Sequence, residues 1–164
     1  MGVTVSEPGS TEVVDFDAFV SPHLSAMWAL ASRLAGPSAR DDVLQDALLT
    51  AWRRWRTYDA SRGTARTWLL LLVNDRCRKH WRGLRPTAEL VDTALPERDV
   101  AAHLDVSRAV VQLPPRQRLA VELFYVLGLP VAECALVMRC ATGTVSSTLS
   151  DARRALRSKL EVTS

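Results

Sequence analysis

From Phe16 onward the apolar residues of this chain recur every three or four positions, and nowhere do they alternate with polar ones. A period near 3.6 builds one buried face on a helix, whereas a half-buried strand needs a period of two. The pattern therefore points to an all-α fold. The clearest case lies near the end, where Val145, Leu149, Ala152, Leu156 and Leu160 fall on one stripe.

Breaks in the period divide the chain. A polar stretch, residues 1–14, reads as a disordered tail. A helical run follows through Phe16, Phe19, Val20, Leu24, Met27, Trp28, Ala31 and Leu34, with Asp15 able to cap it. Pro22 imposes a kink, or a restart with Ser21 as a new cap. Gly36-Pro37 ends the run. Ser38 is the expected cap of a second helix, with Asp41 and Asp42 in its first turn, where the helix dipole favours acids. That helix extends to about Thr57 and places Leu44, Leu48, Ala51 and Trp55 on one face. Residues 58–63 form a loop by composition, and Thr64 caps a third helix to about Gly83. Residues 85–104 lack a sustained period and contain Pro86 and Pro96, which marks a linker. The second half opens with a short helix from Val106 to Leu113. A second starts at Pro115 and ends at Gly128, a third runs from Pro130 to Met138, and a fourth from Thr142 to about Leu160. The expectation is two small helical domains, 15–85 and 106–161, joined by a flexible linker, 86–105.

Charge follows the same division. Residues 1–60 carry five basic and eight acidic side chains, 61–86 seven and one, 87–105 one and five, and 106–164 eight and four. Two basic blocks separated by an acidic one suit two polyanion-facing surfaces. Lysine occurs only twice and isoleucine not at all, which reflects a coding bias toward arginine; the clustering does not follow from that bias. The longest apolar run, Trp68 to Val73, is far short of the roughly 20 residues of a membrane span. The first residues lack a basic start and an apolar stretch, so no secretory signal is read. A cytoplasmic protein is expected.

Two constellations carry chemistry. Helices 131–138 and 142–160, separated by Arg139-Cys140-Ala141, have helix-turn-helix spacing. The second of them turns Ser146, Ser147, Ser150, Asp151 and Arg154 away from its apolar stripe, toward a major groove, with Arg153, Arg157 and Lys159 behind. On the third helix of the first half, Arg78, Arg82 and Arg85 share a face, flanked by Arg76 and Lys79 and bracketed by Trp68 and Trp81. Cations among aromatics suit opened nucleic acid. All five tryptophans lie in the first half, and most are expected in its core. Asp42 and Asp46 stand one turn apart beside Gln45, but no further ligand stands at metal spacing, so a protein-binding face is the better reading. Asp41, Asp42 and Asp46 as a metal-dependent phosphohydrolase site is the remote rival. His23, His80 and His103 are scattered, and there is no phosphate loop or nucleophile motif. The three cysteines read as core fillers, with Cys77 placed where neighbouring cations could lower its pKa.

Two longer stretches resemble a known family. DDVLQDALLTAWRRW (41–55) with RTWLLLLVNDRCRKHWR (66–82) is similar to region 2 of sigma-70 family RNA polymerase sigma factors, in the extracytoplasmic-function (ECF) group. The stretch 113–160 is similar to region 4. The resemblance implies a non-catalytic promoter-specificity subunit with no cofactor and no metal. Its partners would be core RNA polymerase (β′ clamp helices and β flap), promoter DNA and an anti-sigma factor. It assigns Asp42, Gln45, Asp46, Leu49 and Arg53 to the clamp helices. It assigns Tyr58, Ser61, Arg62, Trp68, Asn74, Arg76, Arg78, Lys79 and Arg82 to the −10 element. Arg118, Thr142, Thr144, Ser146, Ser147, Ser150, Arg153 and Arg154 go to the −35 element. The acidic linker would thread the RNA exit path. Alternatives are a stand-alone helix-turn-helix regulator and a degenerate sigma-like adaptor.

This chain departs from the family in the turn. Arg139-Cys140-Ala141 stands where Gly-Ile-Ser is usual, and Arg139 falls where positive φ is expected. Thr144-Val145-Ser146-Ser147-Thr148 lacks two customary cations, which predicts weak −35 binding. Pro130 replaces a customary serine cap.

Overall fold

The computed structural model describes residues 15–83 and 100–162. The expected tail, residues 86–99 of the expected linker, and Arg85 lie outside the described residues. Among the described residues all regular structure is helical. The first half comprises α1 (15–20), α2 (Leu24–Ala35), α3 (Arg40–Arg54) and α4 (Ala65–Gly83). Short 3₁₀ turns at Ser21–His23, Trp55–Thr57 and Ala60–Arg62 connect them. The second half comprises α5 (Val100–Val111), α6 (Pro115–Val121), α7 (Val131–Met138) and α8 (Thr142–Val162). A π-helical turn, Glu122–Val126, extends α6. The helix expected from Val106 thus starts at Val100.

The local chemistry explains most boundaries. Pro22 sits in the turn that restarts the first run, as expected. Ser21 does not cap the restart, because its hydroxyl donates back to the Asp17 carbonyl at 2.7 Å. Thr64 does cap α4: the Thr67 amide donates to its Oγ1 at 3.2 Å. Ser38 does not cap α3. Ala39 takes that position without a side-chain bond, and the Arg40 amide donates to the Gly36 carbonyl at 2.9 Å. Gly36 can form this turn because its φ is +77°.

The turn between α7 and α8 hinges on Arg139, whose φ of 51° and ψ of 53° are left-handed. Its amide and that of Cys140 return to the carbonyls of Leu136 and Ala135, at 3.3 and 3.1 Å, closing the helix end. A side chain in this region costs roughly 1–2 kcal/mol. Arg139 is the one positive-φ residue other than glycine among the described residues.

Helices α2, α3 and α4 pack mutually, and α8 packs on α5, α6 and α7. Ala47 and Ala51 are fully buried on α3, and these small side chains let it lie close to its neighbours. The stripe on α8 behaves as its spacing predicts: Val145, Leu149 and Ala152 are buried, and Leu156 is half-buried. The tryptophans do not follow the core expectation. Trp28, Trp52 and Trp81 are exposed, and Trp55 and Trp68 are half-buried. On α2, Leu30 is buried, while Leu24 and Trp28 of the expected face are exposed. The two helical domains are also packed on each other. Helix α7 lies on α4, and one buried cluster runs from Leu70, Val73 and Cys77 into Leu123, Leu129 and Val137.

Candidate nucleic-acid interface

The exposed polar face of α3 is the simplest of the expected surfaces. Asp42, Gln45, Asp46, Leu49 and Arg53 are all exposed, so one helix presents two carboxylates, an amide, an apolar side chain and a cation together. Leu49 is 47% exposed and Trp52 beside it 38%. Such an apolar centre with a charged rim is the anatomy of a protein-docking patch. A shallow groove of about 330 Å³ joins this face to α4, with Asp42 and Asp46 on one wall and Arg76 and Lys79 on the other.

The outer face of α8 is equally open. Thr142, Thr144, Ser146, Ser147, Ser150, Arg153 and Arg154 are exposed. Several of its polar groups are engaged within the helix. Ser146 donates to the Thr142 carbonyl at 3.2 Å, and Ser147 and Thr148 both donate to that of Thr144, at 3.0 and 2.7 Å. Arg154 lies 3.4 Å from Asp151, and the Arg153 Nε donates to the Leu149 carbonyl.

At the start of α4 an aromatic cluster shapes the loop. Tyr58 packs against Trp68 with ring centroids 5.7 Å apart, and Phe19 sits 5.2 Å from Tyr58 and 6.0 Å from Trp68. The Tyr58 hydroxyl donates to the Gly63 carbonyl at 2.9 Å, fixing the loop against its own ring. Ser61 and Arg62 remain exposed on the loop. Asp59 accepts from the Ser61 hydroxyl and amide, and these bonds hold its carboxyl below the ordinary carboxylate range. Further along, Arg78, Lys79 and Arg82 are exposed, and Arg76 is half-buried.

Two side chains expected on DNA make bonds inside the protein. Asn74 was expected to present its amide to a base. It is buried at 5% exposure, and its Nδ2 donates to the Val137 carbonyl of α7 at 3.3 Å. Arg118 was expected on a phosphate. It is half-buried, and its guanidinium donates to the Arg33 carbonyl of α2. Both are taken up by contacts between the two halves. Residues that sequence reasoning missed complete this seam. Thr67 donates to Glu133 at 2.5 Å, Arg66 donates to the Leu127 carbonyl at 2.7 Å, and Arg139 pairs with Asp75 at 2.6 Å. Arg33 pairs with the buried Glu122 at 3.3 Å. Glu122 carried a signal, since a carboxylate inside the apolar run Val121-Glu-Leu-Phe124 needs a buried partner. Arg139 stood out only for its place in the turn, and the others carried none.

Burial raises the Glu122 carboxyl above its ordinary value, although Arg33 and Arg118 pull it down. Cys77 is buried, as a core filler is. Burial, not the nearby cations, dominates, and its thiol is pushed up to about 12. Cys134 is pushed up to about 11 for the same reason.

Comparison with known proteins gives the family. The family description Sigma-70 region 2 matches residues 19–87, and Sigma-70, region 4 matches residues 103–156. The ECF RNA polymerase sigma factor SigL of Mycobacterium tuberculosis is 30% identical over 170 residues, covering 96% of this chain and 95% of that protein. The chain belongs to the ECF sigma factors of the sigma-70 family. SigM of the same organism is 34% identical over 151 residues, covering 86% of this chain and 74% of SigM. Among solved structures, CnrH in complex with the cytosolic domain of CnrY matches with a TM-score of 0.69 at 25% identity, over 93% of this chain and 91% of CnrH. The sigma factor RpoE, in complex with the anti-sigma factor NepR from Bartonella quintana, shares the fold with a TM-score of 0.74 at 24% identity, over 90% of this chain and 98% of that one. As a sigma factor the chain catalyses nothing. It binds core RNA polymerase and directs initiation at promoters by recognising their −10 and −35 elements. Among the described residues no helix is long and apolar enough to cross a membrane.

Proposed function

We propose that this sigma factor divides its work among three helices. The α3 face of Asp42, Gln45, Asp46, Leu49 and Arg53 docks on the β′ clamp helices of core polymerase. The loop residues Tyr58, Ser61 and Arg62 and the α4 residues Trp68, Asn74, Arg76, Arg78, Lys79 and Arg82 hold the −10 element. The outer face of α8, from Thr142 to Arg154, lies on the −35 element. Residues 15–85 form the polymerase-binding and −10 module, residues 86–105 the acidic linker that threads the RNA exit path, and residues 106–161 the −35 module, which also meets the β flap. Melting is favoured because cations and aromatics on α4 hold an unpaired strand better than a duplex. Joining the modules raises their effective concentration on adjacent elements, so each can bind weakly. The protein acts in the cytoplasm, on the nucleoid when bound to polymerase, and an anti-sigma factor restrains it.

The observation that carries this reading is the exposed acidic α3 face beside a basic α4, two helices apart in charge and packed on each other. Run-off transcription with core polymerase and genomic promoter fragments tests it: specific transcripts support it, and their absence at every promoter overturns it. One observation favours a second reading, a sigma-like adaptor with little −35 recognition. The hydroxyls of Ser146, Ser147 and Thr148 on α8 are engaged with their own helix.

A further inference from the structure

We propose that the groove between α4 and α6 is a binding site for a nucleoside polyphosphate, with the phosphates held by arginines of both helices and the base laid on Trp81. The groove has a volume of about 520 Å³, within the roughly 300–1,000 Å³ of small-molecule sites. Four guanidinium groups line it, Arg78 and Arg82 from α4 and Arg116 and Arg118 from α6. No carboxylate stands among its described lining residues. Arg78, Arg82 and Arg116 are exposed, and none has an ion pair among the described residues. Glu122 attracts Arg118, but it pairs with Arg33 and does not line the groove. Like charges gathered on two walls repel one another, and an anion placed between them relieves that repulsion.

Three details narrow the class of anion. A guanidinium offers a planar fork of donors that matches phosphate oxygens two at a time. With two arginines on each wall, a ligand carrying several phosphates fits better than a single carboxylate. Next, Arg118 donates to the Arg33 carbonyl, yet its Nε is buried without a partner. A buried donor without an acceptor is costly, and phosphate oxygens are acceptors of the kind this group lacks. Finally, Trp81 is 46% exposed, and its indole Nε1 donates to the Leu34 carbonyl at 3.1 Å, which fixes the ring. A fixed and open aromatic is a stacking platform for a base. Leu34, Cys77, Leu119 and Met138 add apolar surface, which suits a ligand with an aromatic body and not a bare inorganic anion. The site stands on the groove alone. Its consequence rests on the assignment of α4 to the −10 strand, because a nucleotide held by Arg78 and Arg82 occupies cations that the strand needs.

Isothermal titration of the full chain with ATP and with pyrophosphate, at physiological salt, tests the site. Arg116 lies outside the residues assigned to polymerase and promoter, and Arg157 is exposed on α8 and does not line the groove. ATP should bind the native chain one to one. Arg116→Glu should weaken ATP and pyrophosphate alike by about tenfold, the scale of one charge-assisted hydrogen bond. Trp81→Ala should weaken ATP by about tenfold, the scale of base stacking, and leave pyrophosphate unchanged. Trp81→Phe keeps a ring and should recover most of the ATP affinity, which separates lost stacking from a disturbed fold. Arg157→Glu makes the same charge change elsewhere and should alter ATP affinity by no more than about twofold. Absence of saturable ATP binding, or equal losses in Arg116→Glu and Arg157→Glu, would overturn the site. Pyrophosphate weakened as much as ATP by Trp81→Ala, or a Trp81→Phe loss equal to that of Trp81→Ala, would overturn the placing of the base. A single-stranded DNA oligonucleotide of mixed sequence supplies the last arm. If it binds through Arg116 and Trp81 while ATP does not bind, the groove serves a strand, and the nucleotide site is overturned. These titrations need neither polymerase nor promoter, so their failure is distinct from failure of the −10 assignment.

Discussion

Helices α8 and α4 are both long, both assigned to promoter DNA, and differ in what their polar faces meet. The outer face of α8 meets solvent, and its exposed residues are those expected from one stripe of apolar spacing. The polar face of α4 is split. Arg78, Lys79 and Arg82 are open, whereas Thr67 and Asn74 are buried beneath α7. A helix at the edge of a fold keeps the exposure that its period implies. A helix at the centre loses part of its polar face to elements far away in the chain. For this sigma factor, affinity for partners should therefore respond to edge residues and stability to the central seam.

The largest expected effect falls on the most open face. Asp46→Arg places a cation at the centre of the α3 patch and should weaken association with core polymerase by about 100-fold or more, since like-charge juxtaposition at an interface costs several kcal/mol. Fluorescence anisotropy of the labelled chain against core enzyme measures this. Unchanged affinity would place the polymerase contact on a face other than that of α3.

The seam should answer to stability instead. Leu123 is fully buried in the cluster shared by both halves, so Leu123→Ala should lose about 2–5 kcal/mol of unfolding free energy. Ser150 on the open face of α8 should tolerate alanine within about 0.5 kcal/mol. Urea titrations of both variants sharpen the contrast, and equal losses would break it.

These contrasts mark what could be read in advance. The helices, the α8 stripe and the left-handed place of Arg139 were legible because each depends on residues within a turn or two. The α3 patch was legible because nothing described in the structure covers it. The exposure of Trp28 and the burial of Asn74 were not legible, for one reason. Periodicity separates the faces of a helix but does not say which face another element covers. Asn74 meets Val137 and Arg118 meets Arg33 across 63 and 85 positions of chain, beyond any local pattern. For Cys77 the core-filler reading outweighs the effect of its cationic neighbours in sequence, because burial by packing pushes its thiol up.

A smaller effect probes the open face directly. Ser146→Lys restores a cation to α8, and it should tighten binding to a −35 duplex and steepen the dependence of log K on log salt by about one unit. Titrations at several salt concentrations give the slope. An unaltered slope would mean that this turn of α8 does not approach phosphate, which favours the adaptor reading.

The smallest effect belongs to the seam and separates burial from charge pairing. Glu122 is pressed by desolvation toward a raised pKa and by Arg33 and Arg118 toward a lowered one, and burial prevails. The folded chain therefore holds this proton more tightly than the unfolded chain does. The resulting stability is fully present below the ordinary carboxyl value of 4.5 and is lost as pH rises through the higher folded value. Glu122→Gln removes the titration while keeping the shape. Between pH 7 and pH 5 the native chain should gain stability relative to this variant in urea unfolding. If it instead loses stability as pH falls, the carboxylate is held mainly by its two arginines, and the seam is ionic where its burial marks it as desolvated.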